Sequence, residues 1–538
     1  MPALSSLWTV YTYRSAASLP KLRVRGDINL PSVDVLVVSS GQPDEIGFDC
    51  AIAAAAMDYP AHRYRVMVLD SANSPTLQRE LQKHVKTQAC PHLSYHRAAS
   101  TATNKGVFRT RAEAVTFGLK EASSFGAKGP AEFVAVLEAD VIPDRNYLRA
   151  TLPTIVADSE IALIKTPHGF INLPRRVLQS VLTLSQAAKT SSEHRSGFVM
   201  RRSAVTEIGG FPSKSWMPDG ELEAMMWGNG YKVEVVNEVL QWTMAQPTYG
   251  AQINAMMINA IGPLRTASRF NFFVYSSMIK SMSLANRLYF LGRALVPFFS
   301  LLLMALTSFY PFLLSYGELL VIAPDVVQLT SLLESALVMI VLSRLHEVVW
   351  CWATGTSSPR RSLQAWIFAA PYHGLALFRL ILPRAIGGFS NASDVSVPQT
   401  EETVTRPSFI KRLFWFVIDP HVGYFAVYLA AIGVSLWRVL KEYQLDAAME
   451  HSHQVVLTLI LTLAWPSLVW LDFFFASLVP LEAFVVRDHY SFVARPKQDF
   501  KTMAPWKQRR GPEVLTSILP ILWSAVVLVL AKAMDVLA

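Results

Sequence analysis

Two carboxylates one residue apart end an apolar segment in the first half of the chain. Residues 133–137 read Phe-Val-Ala-Val-Leu and are followed by Glu138, Ala139 and Asp140. Aromatic and β-branched residues in such a run are typical of a buried strand. On an extended backbone, residues i and i+2 point the same way, so both carboxylates can address one divalent cation. The pair therefore predicts a metal site suited to a bound phosphate, and a strand ending in solvated acids is the alternative.

Short β-prone segments alternate with helical ones between residues 31 and 265. This alternation predicts an α/β domain with a largely parallel sheet. The segments that carry the prediction lie at residues 33–38, 48–57, 65–69, 111–123 and 133–137.

Polar side chains stand at the ends of the predicted strands. Ser39 follows the first strand, Asp70 the second, and the Glu138 and Asp140 pair follows the last. Ligands of such sheets bind beyond the carboxyl ends of the strands. We therefore expect these four side chains to meet at one crevice, which is a candidate binding site.

Composition indicates more than a soluble domain. The chain has 538 residues, 52% of them hydrophobic, and a mean hydropathy of +0.30. This is too apolar for an ordinary soluble protein and too long for one domain. The formal charge is +9, but the basic residues concentrate beside apolar segments, which favours membrane headgroups and predicts no nucleic-acid partner. Cys50, Cys90 and Cys351 lie far apart without metal-ligand spacing and predict no disulfide framework.

The second half of the chain contains segments suited to a bilayer. Residues 294–316 form 23 consecutive residues without a charge, enough to cross a hydrocarbon layer of roughly 30 Å. Weaker candidate spans lie at residues 326–343, 420–437, 455–471 and 514–531.

The membrane topology depends on residues 362–382, an apolar segment that contains Pro, His and Arg. If this segment lies at the interface, the basic loops 355–412 and 487–512 share a side with the α/β domain, as the positive-inside tendency favours. The sequence thus predicts a multi-pass membrane protein with about five spans within residues 266–538. The α/β domain is predicted to face the cytosol, since residues 1–30 lack the apolar core of a signal peptide.

Six segments, in this order, resemble motifs of the membrane-integral family 2 glycosyltransferases, relatives of cellulose, chitin and hyaluronan synthases, and especially a fungal polysaccharide-synthase-like branch. The resemblance covers residues 31–265 and the helical block that follows. The segments lie at residues 31–43, 66–70, 111–119, 138–140, 202–212 and 219–222 with 230–233.

This resemblance implies a GT-A (Rossmann-like) domain that transfers sugar from a nucleotide sugar with inversion. It implies that Asp140 and Glu138 bind Mn²⁺ or Mg²⁺ and that Asp219 is the catalytic base, because a carboxylate beside an acceptor hydroxyl can take its proton. Uridine and guanosine diphosphate donors both fit the motifs. For Asp70 and Arg111, the roles of turn acid and exposed helix cation stay open as alternatives. The residues implied to bind the nucleotide sugar are Ser39, Asp70, Arg111 and Glu138.

The chain departs from the family pattern in three places. Glu138 stands where the family has Asp, and Met217-Pro218-Asp219 replaces Thr-Glu-Asp. The Gln-x-x-Arg-Trp motif is absent from its expected position, where residues 255–259 read Ala-Met-Met-Ile-Asn. This apolar replacement predicts a hydrophobic acceptor, a lipid or secondary metabolite, that receives a single sugar. Core packing of the two methionines is the alternative.

Three other functions stay open from the sequence. One is a processive cell-surface polysaccharide synthase acting on a carbohydrate acceptor. Another is a catalytically inactive, transferase-like binding protein, which the altered motifs favour. The last is a transporter, because Glu334 and Asp472 lie within candidate spans and carboxylates inside a membrane often mark transport paths.

Overall fold

The protein is described by a computed structural model in which an α/β domain is followed by long helices. The residues that the structure describes are 22–39, 42–88, 90–97, 110–124, 129–172, 197–212, 215, 217–236, 238–244, 248–316, 326–354, 359–383, 409–445, 467–486 and 521–533.

The main sheet has seven strands in the order β3-β2-β1-β4-β8-β6-β9. The pairs β1/β2, β1/β4, β2/β3 and β6/β9 are parallel, and only β8 runs antiparallel to its two neighbours. The predicted α/β domain with a largely parallel sheet is therefore confirmed. The strands are β1 Val33–Ser39, β2 Tyr64–Asp70, β3 Leu93–Arg97, β4 Phe133–Glu138, β5 Val141–Pro143, β6 Ile161–Lys165, β7 His168–Asn172, β8 Phe198–Arg201, β9 Lys232–Val235 and β10 Gln241–Met244.

A second sheet of three strands, in the order β5-β10-β7, lies next to the end of β4. A turn at Ala139 and Asp140 connects β4 to β5, so this sheet begins directly after the predicted metal-ligand pair. The small sheet therefore places the carboxylate of Asp140 against β10.

Helices cover both faces of the main sheet. Leu36 and Leu69 belong to the core under α3, α5 and α6, whereas their neighbours Val35 and Val68 belong to the core under α1, α2 and α4. Alternate residues of each strand thus enter opposite cores, as expected for a parallel sheet buried on both faces. These helices are α1 Asp44–Ala55, α2 Pro75–Gln88, α3 Arg111–Ser124, α4 Tyr147–Ala157, α5 Arg202–Glu207 and α6 Pro218–Gly228.

The remaining helices extend from the α/β domain. Leu284–Tyr316 and Pro420–Lys441 are long and apolar enough to cross a membrane, by length and composition alone. Among the described residues, two of the five predicted spans meet this criterion, and most of residues 455–471 lie outside the described part. The helices are α7 Tyr249–Arg269, α8 Leu284–Tyr316, α9 Val326–Thr354, α10 Pro359–Ile381, α11 Phe409–Ile418, α12 Pro420–Leu445, α13 Ser467–Val485 and α14 Ile521–Ala533.

The segment predicted to lie at the interface is helix α10. It packs against α7, α8 and α13. Phe368 and Tyr372 are almost fully buried in these contacts. Helix α10 therefore connects the last helix of the α/β part to the helical block.

Glu334, which left a transport function open, has a cationic partner. Its Oε1 atom lies 2.6 Å from Nζ of Lys532 on α14. An ion pair between two apolar helices can explain why a carboxylate stands in this segment, without a role in transport.

A buried ion-pair group stabilises the centre of the sheet. Asp34, fully buried in β1, lies 2.7 Å from Nη2 of Arg65 and 2.6 Å from Nη2 of Arg202. Burial lowers the pKa of Arg202, and the carboxylate of Asp34 opposes that shift. Removing one partner of a buried pair leaves an uncompensated charge, which is strongly destabilising.

We expect Asp34→Ala to destabilise the α/β domain by about 3 to 5 kcal/mol, because it leaves two guanidinium groups without their carboxylate. The matched control is Lys232→Ala, which removes the surface pairs with Asp158 and Glu160 and should cost less than about 1 kcal/mol. Thermal unfolding of the purified full chain in detergent measures both. Equal midpoints for the two variants would contradict the structural role of Asp34.

Candidate functional site

The carboxyl ends of three adjacent strands meet at one edge of the main sheet. Ser39 of β1 is in register with Asp70 of β2, and Val38 is in register with Glu138 of β4. The expected convergence of strand-end residues is therefore present at this edge.

Arg111 is the residue that joins the separate parts of the site. It is the first residue of α3, and its side chain is only 11% exposed. Its Nε atom lies 3.1 Å from Oε1 of Glu138, and its Nη1 donates a hydrogen bond to Oδ2 of Asp219. The alternative of an exposed helix cation is wrong. One guanidinium instead brings the end of β4 next to the start of α6.

The electrostatics of this group favour a further cation. Burial lowers the pKa of Arg111, but the carboxylates of Asp219, Glu138 and Asp140 together raise it above its ordinary value. Arg111 therefore stays protonated beside these three acids. Carboxylates gathered at one site also attract a divalent cation.

Asp219 lies in the first turn of α6, directly after Pro218. Negative charge is favoured at a helix N-terminus, and proline is well suited to the first helical position. The residue is 6% exposed. Its Oδ1 atom is buried and has no hydrogen-bond partner among the described residues. Asp219 therefore presents one carboxylate oxygen that can accept a proton from a bound hydroxyl.

Helix α6 carries two further buried acids, which the sequence reasoning did not single out. Glu221 lies 2.5 Å from Nη1 of Arg269, and Glu223 lies 2.8 Å from Nζ of Lys165. The sequence does contain a signal for them, because acids stand at every second position of this otherwise apolar helix. Acids are seldom buried unless they are paired with a cation, so this pattern indicates buried ion pairs. Two ion pairs thus fix the helix that carries Asp219, one to α7 and one to β6.

The metal-ligand pair differs from its predicted geometry. Glu138 ends β4, whereas Asp140 lies in the turn that follows, although the N–H of Ala139 still donates to the carbonyl of Val38 of β1 at 2.9 Å. The expected pair on one extended strand is therefore wrong. Thr243 of β10 donates its hydroxyl to Oδ2 of Asp140 at 3.4 Å. The charges of both acids nevertheless act on Arg111.

These residues fit a divalent cation that is bound together with a phosphate. Among the described residues, no group of three or more His, Cys, Asp or Glu side chains could hold a metal ion alone. Carboxylate oxygens suit Mg²⁺ and Mn²⁺, and Mg²⁺ is usually held by one or two carboxylates plus substrate phosphates and water. Asp140 and Glu138 match that donor set.

Asp70 makes the contacts of a turn acid. Its Oδ1 accepts from the N–H of Ala72 at 2.9 Å, and its Oδ2 accepts from the N–H of Ser74 at 2.7 Å and the hydroxyl of Tyr95 at 2.9 Å. Burial and then the charge of Asp70 raise the pKa of Tyr95. Asp70 thereby stabilises the turn before α2, which is the role of turn acid given above as an alternative.

Ser39 supports the same turn from β1. Ser39 is 3% exposed. Its carbonyl accepts two hydrogen bonds from Ser71, one from the N–H at 2.9 Å and one from the side-chain hydroxyl at 2.8 Å. Asp70 and the backbone of Ser39 thus stabilise this turn, and the nucleotide contacts predicted for both side chains stay predictions.

The altered motif at residues 255–259 lies within α7. Met256 and Met257 are 6% and 3% exposed and belong to one core with residues of α10 and α13. Core packing, the alternative given above, therefore accounts for both methionines, and the prediction of a hydrophobic acceptor depends on the missing Arg and Trp. Arg269, further along the same helix, supplies the cation that pairs with Glu221.

No protein-family model matches the sequence. Part of the chain is similar to glucomannan 4-beta-mannosyltransferase 1 of Oryza sativa subsp. japonica, with 27% identity over 200 residues, 35% of this chain and 37% of that protein. Cellulose synthase 2 of Novacetimonas hansenii is 24% identical over 228 residues, 39% of this chain and 13% of that protein. The matched part thus spans well under two thirds of either curated relative. Both relatives are glycosyltransferases, the enzyme class predicted from the sequence.

Among solved structures, the chain is matched in part by the mannosyltransferase PcManGT from Pyrobaculum calidifontis in complex with GDP-Man and Mn²⁺. It has 15% identity and a TM-score of 0.42, covering 70% of this chain and 95% of that chain. S. aureus TarS 1-349 has 14% identity and a TM-score of 0.32, covering 63% and 90%.

We expect Asp140→Asn to weaken Mn²⁺ binding by at least about tenfold, because a neutral amide replaces a charged ligand. Calorimetric titration of Mn²⁺ into the full chain, with a nucleoside diphosphate present, measures this. Asp158→Asn, at an exposed carboxylate paired with Lys232, is the matched control and should leave the affinity unchanged. Equal Mn²⁺ affinities for both variants would exclude Asp140 as a ligand.

Proposed function

We propose that this chain is a membrane-bound, metal-dependent, inverting glycosyltransferase that moves a sugar from a nucleotide sugar to a hydroxyl acceptor. The observation that carries the proposal is the contact of Arg111 with both Glu138 and Asp219. It joins the candidate metal ligands to the candidate base within one site. The sequence similarity to named glycosyltransferases supports the same class.

On the donor side, the departing diphosphate must be neutralised. Asp140 and Glu138 would hold Mn²⁺ or Mg²⁺, which supplies Lewis acidity and a template for the diphosphate when bound. Arg111, protonated and buried, offers a second positive charge at the same place. The name of the rice relative makes a nucleotide-activated mannose the first donor to test.

On the acceptor side, Asp219 acts as the general base. Its Oδ1 atom, without a hydrogen-bond partner among the described residues, takes the proton of the acceptor hydroxyl as the new bond forms. The hydroxyl attacks the anomeric carbon from the face opposite the diphosphate. The product therefore has inverted configuration at that carbon.

The acceptor we propose is hydrophobic, and it receives one sugar. The support is the absence of Arg and Trp from residues 255–259, since these residues would border a growing sugar chain in the resembled family. The alternative is processive extension of a polysaccharide, which the names of the relatives favour.

We further propose that the protein crosses the membrane several times with the α/β domain in the cytosol. Helix α8 and residues 420–441 of α12 supply two candidate spans. The basic residues between the apolar segments favour the cytosolic side.

A transferase-like binding protein without turnover is the second candidate function. The hydrogen bond from Arg111 to Asp219 favours it, because the guanidinium occupies one of the two carboxylate oxygens of the proposed base. Turnover decides between the two functions.

We expect the purified full chain in detergent, with Mn²⁺, to release nucleoside diphosphate from one donor in a screen of nucleotide sugars. Asp219→Asn should lower this rate by about 10²- to 10⁴-fold, because it removes the base. Asp158→Asn serves as the control and should keep the full rate. Turnover that survives in Asp219→Asn would exclude this residue as the base, and failure of every donor would favour the binding protein.

With the donor identified, lipidic alcohols and oligosaccharides should be compared as acceptors in parallel. We expect single addition of sugar to a lipidic acceptor, detected as one mass increment. Products with many added sugars on an oligosaccharide would replace this proposal by the polysaccharide alternative.

A further inference from the structure

A buried carboxylate in the helical block binds three segments of the chain together. Asp419, between α11 and α12, is 6% exposed. Its Oδ2 atom accepts hydrogen bonds from the hydroxyls of Tyr249 at 2.9 Å and Tyr372 at 2.8 Å, and these hydroxyls lie 2.8 Å apart. Its Oδ1 accepts from the N–H of His421 at 3.0 Å. We call Asp419, Tyr249 and Tyr372 the carboxylate cluster.

The geometry of the cluster suits a fixed junction. A carboxylate among apolar helices is costly unless it is hydrogen-bonded, and bonds to a charged acceptor are stronger than neutral ones. His421 adds a contact of 2.7 Å from its Nε2 to the carbonyl of Phe368, and the two rings stack with centroids 4.8 Å apart. The cluster therefore fixes the first residue of α7 to the middle of α10 and the start of α12.

Helix α7 leads from this cluster to the proposed base. From Tyr249 to Gly262 it rises by roughly 20 Å at 1.5 Å per residue. At Gly262 the helix faces Met217, so closely that an added Cβ would lie 3.0 Å from the Met217 sulfur. Met217 occupies the N-cap position of α6, two residues before Asp219. Helix α7 thus reaches the base-bearing turn by direct packing.

A second contact joins the same two helices. Arg269, the last residue of α7, lies 2.5 Å from Oε1 of Glu221, which is 2% exposed. Two contacts on α6, at Met217 and Glu221, bracket Asp219. Helix α7 is therefore one of the elements that hold Asp219 in place, together with Arg111 and Lys165.

We propose that Asp419, Tyr249 and Tyr372 are positioning residues for Asp219, acting through α7 and α6. The proposal rests on the proposed function, since it concerns the efficiency of the base. The candidate metal ligands lie at the end of β4 and in the turn that follows, away from the contacts between α7 and α6. We therefore expect loss of the cluster to act mainly on the transfer step.

The test is the double variant Tyr249→Phe with Tyr372→Phe, which removes both hydroxyl donors to Asp419. The matched control is Tyr424→Phe, which removes a 2.6 Å hydrogen bond to the carbonyl of Thr307 that joins α12 to α8. Turnover, KM for the donor, nucleotide affinity and thermal midpoint are measured on the full chains in detergent. Amide hydrogen exchange of α6 is measured in parallel by mass spectrometry.

We expect the double variant to lose about 10- to 100-fold in kcat, as displacement of a catalytic group does, with donor KM and nucleotide affinity within about twofold. Exchange of α6 amides should rise in the double variant and stay unchanged in Tyr424→Phe. The control should keep its kcat even if its thermal midpoint falls.

The positioning role would be overturned by unchanged α6 exchange in the double variant, by an equal loss of kcat in the control, or by a parallel rise in donor KM. If the unaltered protein turns over no donor, the proposed function fails. The exchange comparison then still decides whether the cluster controls α6.

Discussion

The contact of one buried guanidinium with two acids from different parts of the chain is the interaction on which the site depends. Arg111 begins α3, Glu138 ends β4, and Asp219 begins α6. Acids this close together would repel one another in a buried site, and the positive charge of Arg111 offsets that repulsion. A divalent cation bound by Glu138 and Asp140 would add to this compensation.

The elements around this contact are fixed by pairs of the same kind. Asp34 of β1 forms ion pairs with β2 and α5. On α6, Glu221 forms an ion pair with α7 and Glu223 forms one with β6. The three acids are buried and each is paired with a cation, so each is costly to remove. Helix α7 extends this arrangement into the helical block through Tyr249. The α/β domain and the apolar helices are thus joined by specific polar contacts as well as by packing.

The sequence predicted the sheet well because strand-like runs and helices alternate with a clear period, and parallel strands place their carboxyl ends together. It predicted less of the side-chain geometry. Asp140 turned out to lie in a turn, and Asp70 to bind its own turn, since hydrogen bonds to nearby N–H groups leave no trace in residue periodicity. The partners of Glu221 and Glu223 and the packing of Met256 depend on contacts between distant segments, which spacing along one chain does not reveal.

An experimental structure of the protein with Mn²⁺ and a nucleoside diphosphate would show whether the metal ligands and the base share one site. We predict metal density bound by Asp140 and Glu138, with Asp219 facing the same cavity and Arg111 turned toward the diphosphate. Metal and nucleotide density at any other place, or an Asp219 side chain directed away from the nucleotide, would contradict it.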